Sequence, residues 1–349
     1  MKQGKTLSEL ALEVQTQHSL KKDFVAPTTQ MRVDVIDRKP VLTVEDFGQY
    51  PIKDHALTQI AERVGIPTKY LRKMQDEAPQ LLSTNINTWF DATPERRMVR
   101  TLAGNQRAFL SDRYARTDAI DVLQVALPEF SRAGVTVRSC ELTENRLYVK
   151  AVFDGLTREV KSSRVGDMVK AGLMVSTSEI GMGATQVTPW AEFTLCTNGM
   201  VREGGKRWAH LGKRIGGEDA AYLTDETVAQ SDKLDLMVIR DTIRAALDPK
   251  RFEEWIANLQ ETTQRKITGS VEKGIQLLAT KLTLVEGEKN SVLRHLIEGG
   301  DLSQYGLLNA VTRTAEDAGD YDRATELEAA GQRVLELSPS EWRVIAEAA

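Results

Sequence analysis

Apolar and polar positions change period repeatedly along this chain, and each change predicts an element. Behind Thr6 and Glu9, spaced as a capping box, Leu7, Leu10, Ala11 and Val14 fall three and four apart and predict a short helix. Residues 17–29 are polar, hold Pro27 and read as a loose connector. MRVDVI (31–36) alternates with period two, and KPVLTV (39–44) is its expected partner strand. Residues 54–75 read as two helices. Asp54 is the expected cap of the first, Leu57, Ile60, Ala61 and Val64 form its apolar face, and Gly65 stops it. Pro67 suits the first turn of the second, which carries Tyr70, Leu71 and Met74.

From 97 to 201 the pattern turns to strands. Gly104-Asn105 between two alternating runs predicts a hairpin, and residues 118–130 a helix. VTVRSCEL and RLYVKAVF flank Thr143 to Asn145 as a second hairpin, and residues 172–195 make a third, turning near Gly181 and Gly183. Alternation puts Leu147, Val149, Ala151 and Phe153 on one face of their strand and Arg146, Tyr148 and Lys150 on the other. Asn198-Gly199 predicts a tight turn. Beyond Gly217 the period is helical over 225–247, 250–263, 268–282, 288–298, 302–317 and 320–337, and Ser338 or Ser340 can cap a last helix around Trp342. The expected fold class is α+β: an antiparallel-sheet core with flanking helices, followed by an all-helical C-terminal region. The expected division is an N-terminal helix and connector (1–26), a basic α+β core (27–214) and an acidic helical region (215–349).

Charge sharpens that division. Residues 215–349 hold 25 acids and 15 bases, whereas residues 1–214 hold 31 bases and 25 acids, so a chain of net charge -4 has a basic part and an acidic part. Such asymmetry points to an anionic partner for the first and another role for the second. Two cysteines, Cys140 and Cys196, give no disulfide framework and suit a reducing cytoplasm. No apolar run approaches the roughly 20 residues of a membrane helix, so the expected setting is the cytoplasm, without membrane contact.

The candidate chemistry is cationic. Between residues 96 and 116 lie six arginines (Arg96, Arg97, Arg100, Arg107, Arg113 and Arg116) against one acid, Asp112, with Phe109 and Tyr114 among them. With Arg146, Tyr148 and Lys150 on another strand, a basic sheet face carrying an aromatic ring would hold phosphates and stack bases, which suits single strands. The structural alternative is that these arginines pair with Asp112, Asp118 and Glu95. A second basic stretch, VREGGKRWAHLGKRIGG (201–217), offers Arg202, Lys206, Arg207, Trp208, Lys213 and Arg214, and its glycines suggest a loop or arm. Ala61, Gly65 and Leu71 match helix-turn-helix spacing, with Lys69, Arg72 and Lys73 available to a duplex.

Catalytic signals are weak. The four histidines (His18, His55, His210 and His295) are scattered, and nothing near Cys196 and His210 would orient them as nucleophile and base. SEIGMGATQ lacks the lysine of a phosphate loop, and DAGDYDRATELE fails the calcium-loop spacing. No catalytic residue, metal or cofactor is expected. Asn309 reads as a buried polar residue bonding between helices.

Five blocks in order carry a resemblance: HALTQIAERVGIPTKYL (55–71), RTLAGNQRAFLSDRYARTD (100–118), VGDMVKAGLMVSTSEIGMG (165–183), FTLCTNGMV (193–201) and YGLLNAVTRTAED (305–317). Over roughly residues 30–345 the chain resembles the phage/plasmid-like proteins built on domain of unknown function nine-thirty-two. The resemblance implies an origin in phages, plasmids or integrated elements and supplies no catalytic residue. The expected function is a DNA-transaction protein binding single-stranded nucleic acid, such as a recombination or annealing factor, acting as a homo-oligomer. Three alternatives are a host-takeover or anti-defence factor that engages a host or phage protein through its acidic helices, a duplex-binding regulator using the 54–75 helix pair, and an enzyme whose site forms only when distant residues meet in space.

Overall fold

In the first helix, α1 (Leu7–Leu20), the Thr6 hydroxyl accepts from the Glu9 N–H and Glu9 accepts from the Thr6 N–H at 2.8 Å, the capping box that the sequence predicts. The computed structural model describes residues 1–114, 117–162, 167–194, 198–202, 206–208, 225–246 and 248–349, with backbone alone for 206–208, 225–229 and 231–232. After α1 the expected connector is instead a strand, β1 (Lys21–Pro27), which pairs antiparallel with β5 further along, Lys21 opposite Leu102 and Pro27 opposite Arg96. Only Phe24 and Ala26 of β1 are buried apolar residues. Its charged first half hid the alternation.

β2 (Met31–Ile36) and β3 (Lys39–Val44) form the expected hairpin, turning through Asp37 and Arg38, both left-handed at φ 50° and 62°. β4 (Gly48–Pro51) completes that three-stranded sheet. α2 (Asp54–Arg63) and α3 (Thr68–Glu77) follow, although Asp54 is the first helical residue and Lys53 holds the cap position. α4 (Pro79–Ala92) escaped the sequence reading despite buried Leu82, Ile86 and Phe90 four apart. Its Asn87 carboxamide bonds both the N–H and the C=O of Val33, at 2.8 and 2.9 Å, and so occupies the edge of β2. β5 (Arg96–Leu102) and β6 (Asn105–Ser111) make the predicted arginine hairpin, with Ala103 and Gly104 as the two loop residues at φ 48° and 77°.

α5 (Ala119–Ala133) leads into the large antiparallel sheet, built of β7 (Val135–Leu142), β8 (Leu147–Val160), β9 (Asp167–Thr177) and β10 (Thr185–Phe193) in that order. Two further strands, β11 (Asn198–Val201) and β12 (Lys206–Trp208), both pair with β10. Asn198-Gly199 is therefore strand and not a turn. Gly199 is required there because a Cβ would overlap the Trp190 ring. The remaining helices are α6 (Asp225–Ala245), α7 (Pro249–Thr262), α8 (Val271–Leu282), α9 (Glu286–Gly299), α10 (Gln304–Arg313), α11 (Tyr321–Leu335) and α12 (Pro339–Ala346), the last capped by Ser338.

The fold is α+β, an antiparallel-sheet core followed by helices. The helical region shares its core with the large sheet: Val169, Phe193 and Met200 pack in one cluster with Phe252, Leu278, Leu308 and Val334. Asn309, buried on α10, joins helix to strand, because its Oδ1 accepts from Asn198 Nδ2 at 3.1 Å. Leu147, Val149 and Ala151 of β8 meet α1, α5 and α6 through Leu10, Val122 and Ile239.

Candidate nucleic-acid interface

Alternation on β8 runs as the sequence predicts, yet the face that carries Tyr148 and Lys150 is not solvated. Helix α11 lies over it. Lys150 and Glu328 are both fully buried, with Nζ 2.9 Å from Oε2, and the ammonium sits 4.4 Å from the centre of the Tyr321 ring. Trp190 Nε1 donates to the same carboxylate at 3.0 Å. Burial pulls the Lys150 pKa down against the pull of Glu328. Tyr148 packs on Tyr321 at 5.5 Å between ring centres. Neither residue is free to meet a phosphate or a base.

The arginine hairpin is corrected in the same sense. Arg100 has no exposed surface: Nε donates to Asp23 at 2.8 Å, Nη1 to the Glu179 carbonyl at 2.8 Å, and Nη2 to Asp118. Burial works against its charge, but Asp118 and Asp23 outweigh burial and raise its pKa. Arg97 is half-buried over the Phe109 ring, 5.0 Å from its centre, and 3.9 Å from Glu95. Tyr114 turns inward and donates to the Ser178 carbonyl at 3.1 Å. Arg96 and Arg113 of this group stand exposed, and Arg116 lies outside the described residues. The structural alternative, pairing with Asp118 and Glu95, accounts for Arg100 and Arg97.

The second basic stretch divides. Arg202 is buried, its guanidinium 5.1 Å and 5.5 Å from the rings of Phe252 and Trp255, and burial lowers its pKa to about 10. Lys206, Arg207 and Trp208 belong to a strand where a loop was expected. Lys213, Arg214, Cys196 and His210 lie outside the described residues.

Arg107 and Arg146 do come together, across a cleft of about 950 Å3 between the N-terminal sheets and the large sheet. Lys53, Asp54 and His55 at the start of α2 form part of one lip, with Arg38 from the β2–β3 turn and Lys39 at the start of β3, and Glu144 and Arg146 from the β7–β8 turn form the other. Four carboxylates line the cleft, and each already holds a cation: Glu13 with Lys5 at 3.0 Å, Asp54 with Arg72 at 3.5 Å, Glu144 with Lys53 at 3.7 Å, and Glu179 with Lys21 at 2.6 Å. Arg38 and Lys39 are exposed and have no ion pair among the described residues. Arg146 lies against Gly183 and donates to the Ala184 carbonyl at 3.2 Å. The uncompensated charge of the cleft is therefore positive. Sequence reasoning missed Arg38 and Lys39, although the turn between two predicted strands marks them as a cationic tip.

Glu179 sets the floor. Burial alone would raise its carboxyl, but Arg107 and Lys21 outweigh burial and hold it at about 2. A carboxyl depressed in the folded state contributes stability above its unfolded value, roughly 4.3, and that contribution is lost as pH falls toward the folded value. Acid unfolding is thus expected to set in below about pH 4.5, with E179Q flattening the midpoint-against-pH curve between about 4.5 and 2. Equal slopes for both proteins in urea melts across that window would remove Glu179 from the account.

α2 and α3 keep the helix-turn-helix spacing in three dimensions: Ala61 and Leu71 are buried, and Gly65 makes the turn at φ 77°. Lys69, Arg72 and Lys73 are exposed, with Arg72 tied to Asp54 and Lys73 to Glu77 at 3.8 Å. Among the described residues no group of metal-ligating side chains could hold an ion, and no helix is long and apolar enough to cross a membrane. No protein-family model, curated protein or solved structure matches this chain.

Proposed function

We propose that the protein binds single-stranded nucleic acid by its phosphates along the cleft, as a DNA-transaction factor of a phage or mobile element. The observation that carries this is the uncompensated positive charge of Arg38, Lys39 and Arg146 around a cleft whose carboxylates are already paired. About 950 Å3 is the scale of a site for a small ligand or a few linked nucleotides, not for a duplex. No Phe, Tyr or Trp is among the described residues that line it. A site that grips phosphates without stacking bases leaves their pairing edges free, which is what strand annealing requires. Base pairing supplies the free energy of that step, so the protein needs no catalytic group. The resemblance to phage/plasmid-like proteins and an expected place in the host cytoplasm agree with this reading.

Fluorescence anisotropy of labelled single-stranded DNA, duplex DNA and RNA over a salt series tests it. Preference for single strands is expected, with log affinity falling against log salt at a slope near -2, about 0.7 for each of three contacts. No binding of any of the three at low salt would sink it. A preference for duplex that K69A/K73A removes would instead favour α3 as a recognition helix, the reading supported by its exposed cations.

A further inference from the structure

The Glu179 carboxylate occupies a cradle of donors in the cleft floor. Lys21 Nζ donates to Oε1 at 2.6 Å and also to Asp118 Oδ2 at 3.2 Å, the Ala119 N–H at the start of α5 donates to Oε1 at 2.7 Å, and Arg107 Nη2 to Oε2 at 2.6 Å. Lys21 keeps only 6% of its side-chain surface. One donor is left over. Arg107 Nε is buried and has no hydrogen-bond partner among the described residues.

We propose that this cradle is a phosphate site which Glu179 fills when the cleft is empty, and that its ligand is the terminal phosphate of a nucleic-acid strand. The assignment rests on the reading of the cleft as a single-strand site and names the group that this site recognises. Exchanging the carboxylate for a phosphodiester trades one monoanion for another. A phosphate monoester brings close to two charges and three acceptor oxygens, enough to satisfy Lys21, Ala119 N–H and both Arg107 nitrogens. The helix N-terminus adds its own preference for an anion.

Release needs a side-chain rotation and no loop opening. The backbone around Glu179 is held at each step. The Ser178 carbonyl accepts from Tyr114, the Glu179 carbonyl from Arg100 at 2.8 Å, and the Ile180 carbonyl from Gln59 at 2.8 Å, with His55 Nε2 2.9 Å away. Glu179 borders the cleft, so its carboxylate can swing into the space the strand does not fill.

The test compares 3′-labelled single-stranded oligonucleotides that differ only in a 5′-phosphate or 5′-hydroxyl. Wild-type protein is expected to bind the phosphorylated end about tenfold tighter, the scale of one charge-assisted hydrogen bond. E179Q is expected to tighten binding of the phosphorylated strand, and R107Q to remove discrimination between the ends. Equal affinity of wild type for both ends overturns the proposal and needs no variant to fold. Unchanged or weaker binding by a folded E179Q, checked by its cooperative melt, overturns it as well. If salt-sensitive binding of the 5′-hydroxyl strand persists in those cases, the cleft reading stands while the end-phosphate site falls. If no oligonucleotide binds wild type at low salt, both fall.

Discussion

Replacing Glu328 with alanine is expected to cost about 3–5 kcal/mol of unfolding free energy, because it leaves the Lys150 ammonium uncompensated in a dry interior. The site gives the charge nowhere to go. Lys150 and Glu328 have no exposed surface, Trp190 Nε1 depends on the same carboxylate, and the Tyr321 ring closes the remaining side. The pair as a unit is a different matter, since the cost of desolvating two charges offsets most of their attraction. K150M/E328Q is therefore expected to lie within about 1–2 kcal/mol of wild type, because the amide oxygen still accepts from Trp190 and the thioether chain fills the lysine's space. Urea unfolding of the single and double variants measures both values. A cost below about 1 kcal/mol for E328A would mean that Lys150 reaches water, against its burial.

The second large effect concerns binding. R38A/K39A/R146A is expected to weaken single-strand binding on the order of tenfold to a hundredfold near physiological salt, and to flatten the salt slope by about 2. Arg38 and Lys39 stand exposed, so removing them leaves folding almost untouched, while Arg146 loses one bond to a carbonyl. K150M/E328Q is the informative control. The sequence places Lys150 on a nucleic-acid face, and the structure places it under α11. Binding by this double variant is expected to equal that of wild type, measured by anisotropy on the same strands. A loss there, with the rim variant unaffected, would return the site to the sheet.

Much of the architecture was legible. The β5–β6 hairpin, the alternation of β8, the Gly65 turn and the helical region follow from local periodicity and turn chemistry, which are properties of neighbouring residues. β1 was hidden because Lys21, Lys22 and Asp23 look like a solvated loop until Asp118, Glu179 and Arg100 are brought beside them. α4 was legible in Leu82, Ile86 and Phe90 and was overlooked. The candidate site was harder for one reason: a run of arginines states charge and spacing but not which acids fold against them. Arg100 meets Asp23 and Asp118 from two other segments, and Lys150 meets an acid 178 positions away in the numbering. Arg38 and Lys39 are the converse case, two unremarked cations at a turn that the fold carries to the lip of a cleft.

The cover that α11 places on β8 also orders events during synthesis. At about 5–20 residues per second, Glu328 leaves the ribosome roughly ten to forty seconds after Lys150. Through that interval the face of β8 holding Tyr148, Lys150 and Val152 waits for its lid, and Trp190 waits for its acceptor. A charged lysine in the middle of that face keeps it hydrated until the helix arrives. The residue that is costly to enclose in the finished protein is thus well suited to the interval before the helix closes over it.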